Sequence, residues 1–199
     1  MSESGSFAAG TLVFVPDEQQ AYELMEVASC KGFGAHAAIT VSPPGKSLTA
    51  TMEVPSSDVA RMTEADPLSM EGAADMVKFS ALTEAALLHN IRVRYARDQI
   101  YSSAGSILIA VNPFKTLPIY TEELMARCKA CDAKGLQELP PHVYALAEAA
   151  FRGMLVERKP QAILITGESG AGKTEAAKYA VQYIVARSSA GRASYYLII

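Results

Sequence analysis

Residues 163–174 read Ile-Leu-Ile-Thr-Gly-Glu-Ser-Gly-Ala-Gly-Lys-Thr. An apolar run passes directly into Gly, four residues, Gly, Lys and Thr, the spacing of a loop that wraps phosphate. Glycines at 167, 170 and 172 allow backbone conformations that a β-carbon would crowd, so successive amide N–H groups can turn inward around oxygens. The helix expected from Lys173 to Arg187 adds unpaired N–H groups and the positive end of its dipole. Lys173 is then placed to reach the β- and γ-phosphates as a point charge, and the Thr174 hydroxyl to ligate Mg²⁺. The motif demands strand, loop and helix in that order, so Ala162–Thr166 is expected to be a short buried strand. The other reading of the residues is a glycine-rich strand-to-helix turn without a ligand.

Upstream, Thr83–Arg94 has helical spacing. Asp98–Tyr101 and Ser106–Val111 read as strands joined across Gly105, and the run Ile107-Leu108-Ile109-Ala110-Val111 lacks alternation, as in a strand buried on both faces. Thr121–Ala133 is expected to be helical. After Pro140-Pro141, Val143, Leu146, Ala147, Ala150, Met154 and Leu155 recur at three- and four-residue steps, until Pro160 ends the pattern. In the final helix Ala177, Val181, Ile184 and Val185 share a side. The first sixty residues differ: Thr11–Pro16, Ala38–Val41 and Leu48–Val54 are short β-type runs punctuated by Gly32, Gly34 and Pro43-Pro44-Gly45, which suggests a small antiparallel barrel, the alternative being a poorly ordered extension. Thr63–Gly72 reads as a polar linker, so the chain divides into residues 1–68 and 69–199.

Composition narrows the function classes. With 18 basic and 21 acidic residues and a net charge of −3, the chain lacks the basic surplus that binding nucleic acid requires. No apolar run approaches the roughly 20 residues of a membrane span, so direct membrane insertion is not expected. Three cysteines and no secretory leader suggest the cytoplasm. Cys128 and Cys131 have the spacing of half a zinc site but lack a second ligand pair, and His36, His89 and His142 show no triad pattern, leaving the metal list at Thr174 for Mg²⁺. Arg92, Arg94 and Arg97 read as a solvated helix face.

Taken together, Gly167–Thr174 with Glu175, Pro140-Pro141-His142-Val143-Tyr144-Ala145-Leu146-Ala147, Ala110-Val111-Asn112-Pro113-Phe114-Lys115, and Leu87-Leu88-His89-Asn90 with Arg94-Tyr95 and Ile100-Tyr101 resemble, from Asp75 to Ile184, the start of a myosin motor head. The resemblance implies an α/β P-loop NTPase core, with an incomplete sheet, preceded by a small SH3-like β barrel. Val13–Glu18 is similar to the opening of that barrel, although the family's Trp is missing. The resemblance further implies ATP and Mg²⁺ as ligands, with Gly167, Glu168, Ser169, Gly170, Ala171, Gly172, Lys173 and Thr174 on the phosphates. Lys173 and Thr174 are the candidate catalytic pair. Asn112, Pro113, Lys115 and Tyr120 are implied on the adenine side; read from the residues alone, they are equally a strand terminator and a surface loop. Ala176 stands where many members place Asn.

In its complete form such a protein is an actin-based cytoskeletal motor. The switch, relay, actin-binding and lever segments are not found in these 199 residues, and no buried strand ending in Asp follows Thr174, so turnover is not expected of this chain by itself. The sheet would also lack both neighbours of the strand feeding the loop, which predicts instability or a need for a partner. Tyr195–Ile199 reads as the mark of a truncated chain or an altered exon edge. The alternative is a stand-alone degenerate nucleotide-binding or interaction module; an unrelated P-loop kinase is disfavoured by the adenine-side match.

Overall fold

The structure is a computed structural model, and it describes residues 7–32, 37–45 and 51–188. By its contacts the chain forms two units, Met1–Ala73 with Lys78–Val93, and Ala74–Val77 with Arg94–Ile199.

In the first unit, β1 (Leu12–Asp17) and β2 (Ala21–Lys31) form an antiparallel hairpin in the register Leu12 opposite Glu26 and Asp17 opposite Ala21. Its turn is held by Asp17, whose carboxylate accepts from the N–H groups of Gln19 and Gln20. β3 (Ala38–Ser42), β4 (Met52–Glu53) and β5 (Thr63–Glu64) complete one sheet in the order β4-β3-β2-β1-β5. Alternate residues of these strands, Val13 and Val15, Met25 and Val27, Ile39 and Val41, point to one face and form a core with Val54, Val59 and Met62. The longest strand, β2, lies in a stretch the sequence reading left unassigned, because Glu23, Glu26 and small residues break its apolar pattern. Of the expected run Leu48–Val54, only Met52–Glu53 is a described strand; residues 46–50, like Gly34 and His36, lie outside the described residues.

Two short helices, α1 (Ser56–Val59) and α2 (Pro67–Glu71), follow β4. The stretch Thr63–Gly72, read from the sequence as a polar linker, carries a strand paired to β1 and a capped helix. Asp66 is the reason: its carboxylate accepts from Leu68 N–H at 2.8 Å, Ser80 N–H at 2.7 Å and Ser80 Oγ at 2.6 Å, which fixes the chain on both sides of α2. Burial alone would raise the Asp66 pKa, but the Ser80 bonds and the Leu68 and Ser69 N–H groups outweigh it, and the pKa falls below the usual value. The helix α3 (Glu84–Tyr95) begins where the Thr83 hydroxyl accepts from Ala86 N–H.

The second unit is mainly helical. β6 (Tyr101–Ala104) and β7 (Ile107–Ala110) make an antiparallel hairpin across Gly105, which has φ +63°. The first strand starts later than Asp98 because that residue sits in the left-handed region at φ +59°. β7 is not buried on both faces as its sequence suggested: Ile107 is 64 % exposed, Ala110 is exposed, and only Leu108 and Ile109 are half-buried. The expected helix 121–133 is two helices, α4 (Glu122–Ala130) and α5 (Ala133–Glu138), interrupted where Asp132 turns extended to cap Gly135 N–H at 2.7 Å.

α6 (Val143–Glu157) and α7 (Lys173–Ser188) pack together, but on faces shifted from the predicted ones. α6 buries Val143, Tyr144, Ala147, Glu148 and Phe151, and α7 buries Ala180 and Tyr183 while Val185 is 57 % exposed. The shift follows a polar network. Glu148, with no exposed surface, accepts from Tyr183 Oη at 2.8 Å and pairs with Arg152 at 2.7 Å and Arg187 at 3.2 Å. Arg94, expected on a solvated face, is also buried, its guanidinium donating to the Tyr101 carbonyl and to Ser102 Oγ. Such a cation needs acceptors once inside, and the edge of β6 supplies them. Ala162–Thr166 is not in a ladder with any described residue, and Leu164 is 87 % exposed. Among the described residues the buried strand expected there is not formed: an extended segment becomes a strand only when another edge takes its N–H and C=O groups.

Candidate functional site

The loop at 167–172 enters α7 through a tight turn. Gly167 has φ +148°, and a β-carbon there would come within 3.1 Å of the Ala171 β-carbon, so the approach requires glycine. Gly172, at φ +93°, leads into the first helical bond, from Ala176 N–H to its own carbonyl at 3.0 Å. The Lys173 ammonium bends back over the loop and donates to the carbonyls of Gly167 and Glu168, each at 2.8 Å. The loop thereby holds a positive charge at its mouth beside the unpaired N–H groups of a helix start. Thr174 lies exposed on the first turn of α7.

A second group of predicted residues lies beside it. After β7 the chain turns at Asn112-Pro113-Phe114-Lys115, with Phe114 left-handed at φ +51° and Asn112 Oδ1 accepting from Phe114 N–H at 2.9 Å. Asn112, Pro113, Lys115 and Tyr120 line a cavity of about 240 Å³ together with Ala171 and Gly172 of the loop and Glu175 and Tyr179 of α7. Of the phosphate-loop candidates, Ala171 and Gly172 thus share this cavity with the four base-side residues, whereas Gly167, Glu168, Ser169, Gly170, Lys173 and Thr174 do not line it.

Within it, Lys115 Nζ pairs with Asp98 at 2.6 Å on an exposed surface, a contact worth little in stability. The Tyr120 ring is stacked on Tyr179, with centroids 3.4 Å apart and planes within 6°, and its hydroxyl is 3.0 Å from that of Tyr101. Burial raises the pKa of both Tyr101 and Tyr120, so both hydroxyls stay protonated at neutral pH. Tyr179 was not named from the sequence, and Tyr101 and Glu175 carried the resemblance without a site role. Tyr179 could have been found, since α7 carries it just five residues after Thr174, on the side that turns back toward the loop.

Behind the tyrosines, His142 caps α6, its Nδ1 accepting from Tyr144 N–H at 3.1 Å. Burial pushes its pKa down to about 4, so the ring is neutral among Tyr101, Tyr120 and Tyr144. Cys128 is fully buried and its thiol is pushed up to about 11, while Cys131 ends α4. Among the described residues no cluster of three or more His, Cys, Asp or Glu side chains forms, and no described helix is long and apolar enough to cross a membrane.

Residues 73–196 match the family model of the myosin head (motor domain). The chain belongs to the myosin head family. It is 52 % identical over 134 residues to Myosin-4 of Arabidopsis thaliana, covering 65 % of this chain and 11 % of that protein. It is 40 % identical over 189 residues to Myosin-14 of Homo sapiens, covering 94 % of this chain and 9 % of that protein. To Myosin-H heavy chain of Dictyostelium discoideum it is 48 % identical over 126 residues, 63 % of this chain and 7 % of that protein. The chain thus spans about a tenth of the length of these relatives. The whole cavity and the loop beside it fall inside the part that matches the myosin head.

Proposed function

We propose that this chain is the ATP-binding part of a myosin-type, actin-based motor. The observation that carries the reading is the single cavity shared by the base-side turn and the phosphate loop. At about 240 Å³ it is smaller than the roughly 300–1,000 Å³ of a pocket that encloses a whole ligand. It suits the ring-sized end of a nucleotide whose phosphates lie along the loop outside it.

In this reading Pro113, Lys115 and Tyr120, with the backbone of Asn112, surround adenine, and the backbone N–H groups of residues 167–174 take the phosphate oxygens. Lys173 would exchange its two carbonyl acceptors for phosphate, and the Thr174 hydroxyl would be the residue that holds Mg²⁺. The donor set fits: amide donors, one ammonium and one exposed hydroxyl at a helix start. Mg²⁺ supplies charge neutralisation between phosphate oxygens. The fold reading that goes with it makes residues 167–188 the loop and helix of a P-loop core, the first sheet an SH3-like barrel, and the boundary one near residue 69. Actin binding, movement and a place in the cytoskeleton belong to the complete motor.

Titration of the 199-residue chain with a fluorescent ATP analogue and Mg²⁺ tests the site. Lys173→Ala removes a charged donor, and affinity is expected to fall by about 30- to 100-fold. Unchanged affinity would overturn the reading.

A further inference from the structure

Asn112 does more than line the cavity. Its side-chain amide is used at both ends: Oδ1 accepts from Phe114 N–H at 2.9 Å, and Nδ2 donates to the Gly170 carbonyl at 2.7 Å. Only one orientation of the amide satisfies both partners, since the flipped form would set donor against donor and acceptor against acceptor. The Asn112 backbone is held as well, its carbonyl accepting from Tyr95 Oη at 3.3 Å. Its β-carbon lies 3.8 Å from where a β-carbon of Gly172 would stand, so the turn packs directly against the loop.

Gly170 sits at φ +80°, in the middle of the loop, and its carbonyl must face away from the phosphates for the neighbouring N–H groups to face them. The bond from Asn112 engages that carbonyl and so keeps it from turning toward the phosphate side. We infer that Asn112 is a positioning residue, which locks the phosphate loop to the base-side turn through Gly170 and so sets the affinity for the phosphate chain rather than for the base. The inference rests on the nucleotide reading of the site and deepens it.

Two measurements on the full chain test this. The first needs no ligand: amide hydrogen exchange over residues 167–176 is compared in the wild type, Asn112→Ala and Asn112→Asp. The aspartate is nearly isosteric and still accepts from Phe114 N–H, but it sets an oxygen against the Gly170 carbonyl. Both variants are expected to exchange several-fold faster in the loop, with residues 143–157 unchanged. Equal loop exchange in all three proteins overturns the inference.

The second compares ATP with inorganic tripolyphosphate, which has no base. Asn112→Ala is expected to weaken both by the same factor, on the order of fivefold. Loss of ATP affinity with tripolyphosphate binding intact would make Asn112 a base contact and overturn the positioning role. If the wild type binds neither ligand, the nucleotide reading falls, and the exchange experiment alone decides whether Asn112 orders the loop.

Discussion

The sheet of the first unit and the segment feeding the phosphate loop are both short β-type runs in the sequence, yet only one of them becomes a ladder. β1 pairs with β2, β2 with β3 and β3 with β4, each with its neighbour in the chain. Ala162–Thr166 follows a helix and precedes a helix, and none of the described residues takes its backbone groups. Local pairing costs little loop-closure entropy, so a meander forms from its own hairpins; a strand between two helices depends on distant edges. The second unit is held instead by side chains, with Glu148, Tyr183, Arg152 and Arg187 tying α6 to α7.

That contrast can be broken at the polar network first. Glu148→Ala leaves two partly buried guanidinium groups without their carboxylate and should cost about 3–5 kcal/mol. Urea unfolding followed by exchange mass spectrometry should locate the loss in residues 143–188, with β1 to β3 retained. If the sheet weakens equally, the two regions are not supported separately.

Ile39→Ala is the converse experiment. It empties part of the core under the sheet, where Ile39 is 1 % exposed, and should cost about 3 kcal/mol, seen as faster exchange in residues 12–42.

Acid should separate the regions by their titrating groups. His142 has its folded pKa lowered from 6.5 to about 4, so between those values the unfolded chain binds a proton that the folded one refuses. The second unit should therefore lose on the order of 3 kcal/mol as pH falls from 6.5 to about 4. His142→Asn should flatten that dependence. In the first unit the Asp66 pKa is lowered from 3.8, so its contribution is present above 3.8 and is lost only as pH falls below that value. A sheet that weakens in step with the helices at pH 5 would remove the distinction. The smallest effect is Ser80→Ala, which removes one of the two Ser80 bonds to Asp66 and should lower stability by about 1 kcal/mol in urea titration.

Much of the site was legible. The loop spacing at 167–174 was legible in the residues, because glycines and a fixed Lys-Thr pair encode local backbone behaviour; the turn at 112–115 was legible only as a strand terminator, and its base-side role came from the resemblance to the myosin head. The place of Tyr179 near the loop was open to a reading of helical spacing, but its stacking on Tyr120, 59 positions away (179 minus 120), was not. Helix existence was legible for α3, α6 and α7, but the buried faces of α6 and α7 only in part: Val143 and Ala147 are buried as expected, whereas Leu155 and Val185 are exposed and Glu148 and Tyr183 take the inside. An apolar stripe predicts burial only when no polar group is better satisfied inside, and Glu148 is.

By itself the sequence determined that α3, α6 and α7 exist, that the chain turns at Gly105, and which loop carries glycines that allow inward N–H groups; these depend on φ preferences and spacing within a few residues. Tertiary structure decided the rest. It buried Glu148 and Arg94 by giving them partners, left Leu164 exposed by giving its segment no ladder among the described residues, and set Asn112 against Gly170. The physical reason is that hydrogen bonds and packing between distant residues depend on which edges and side chains meet, and no local pattern records that meeting.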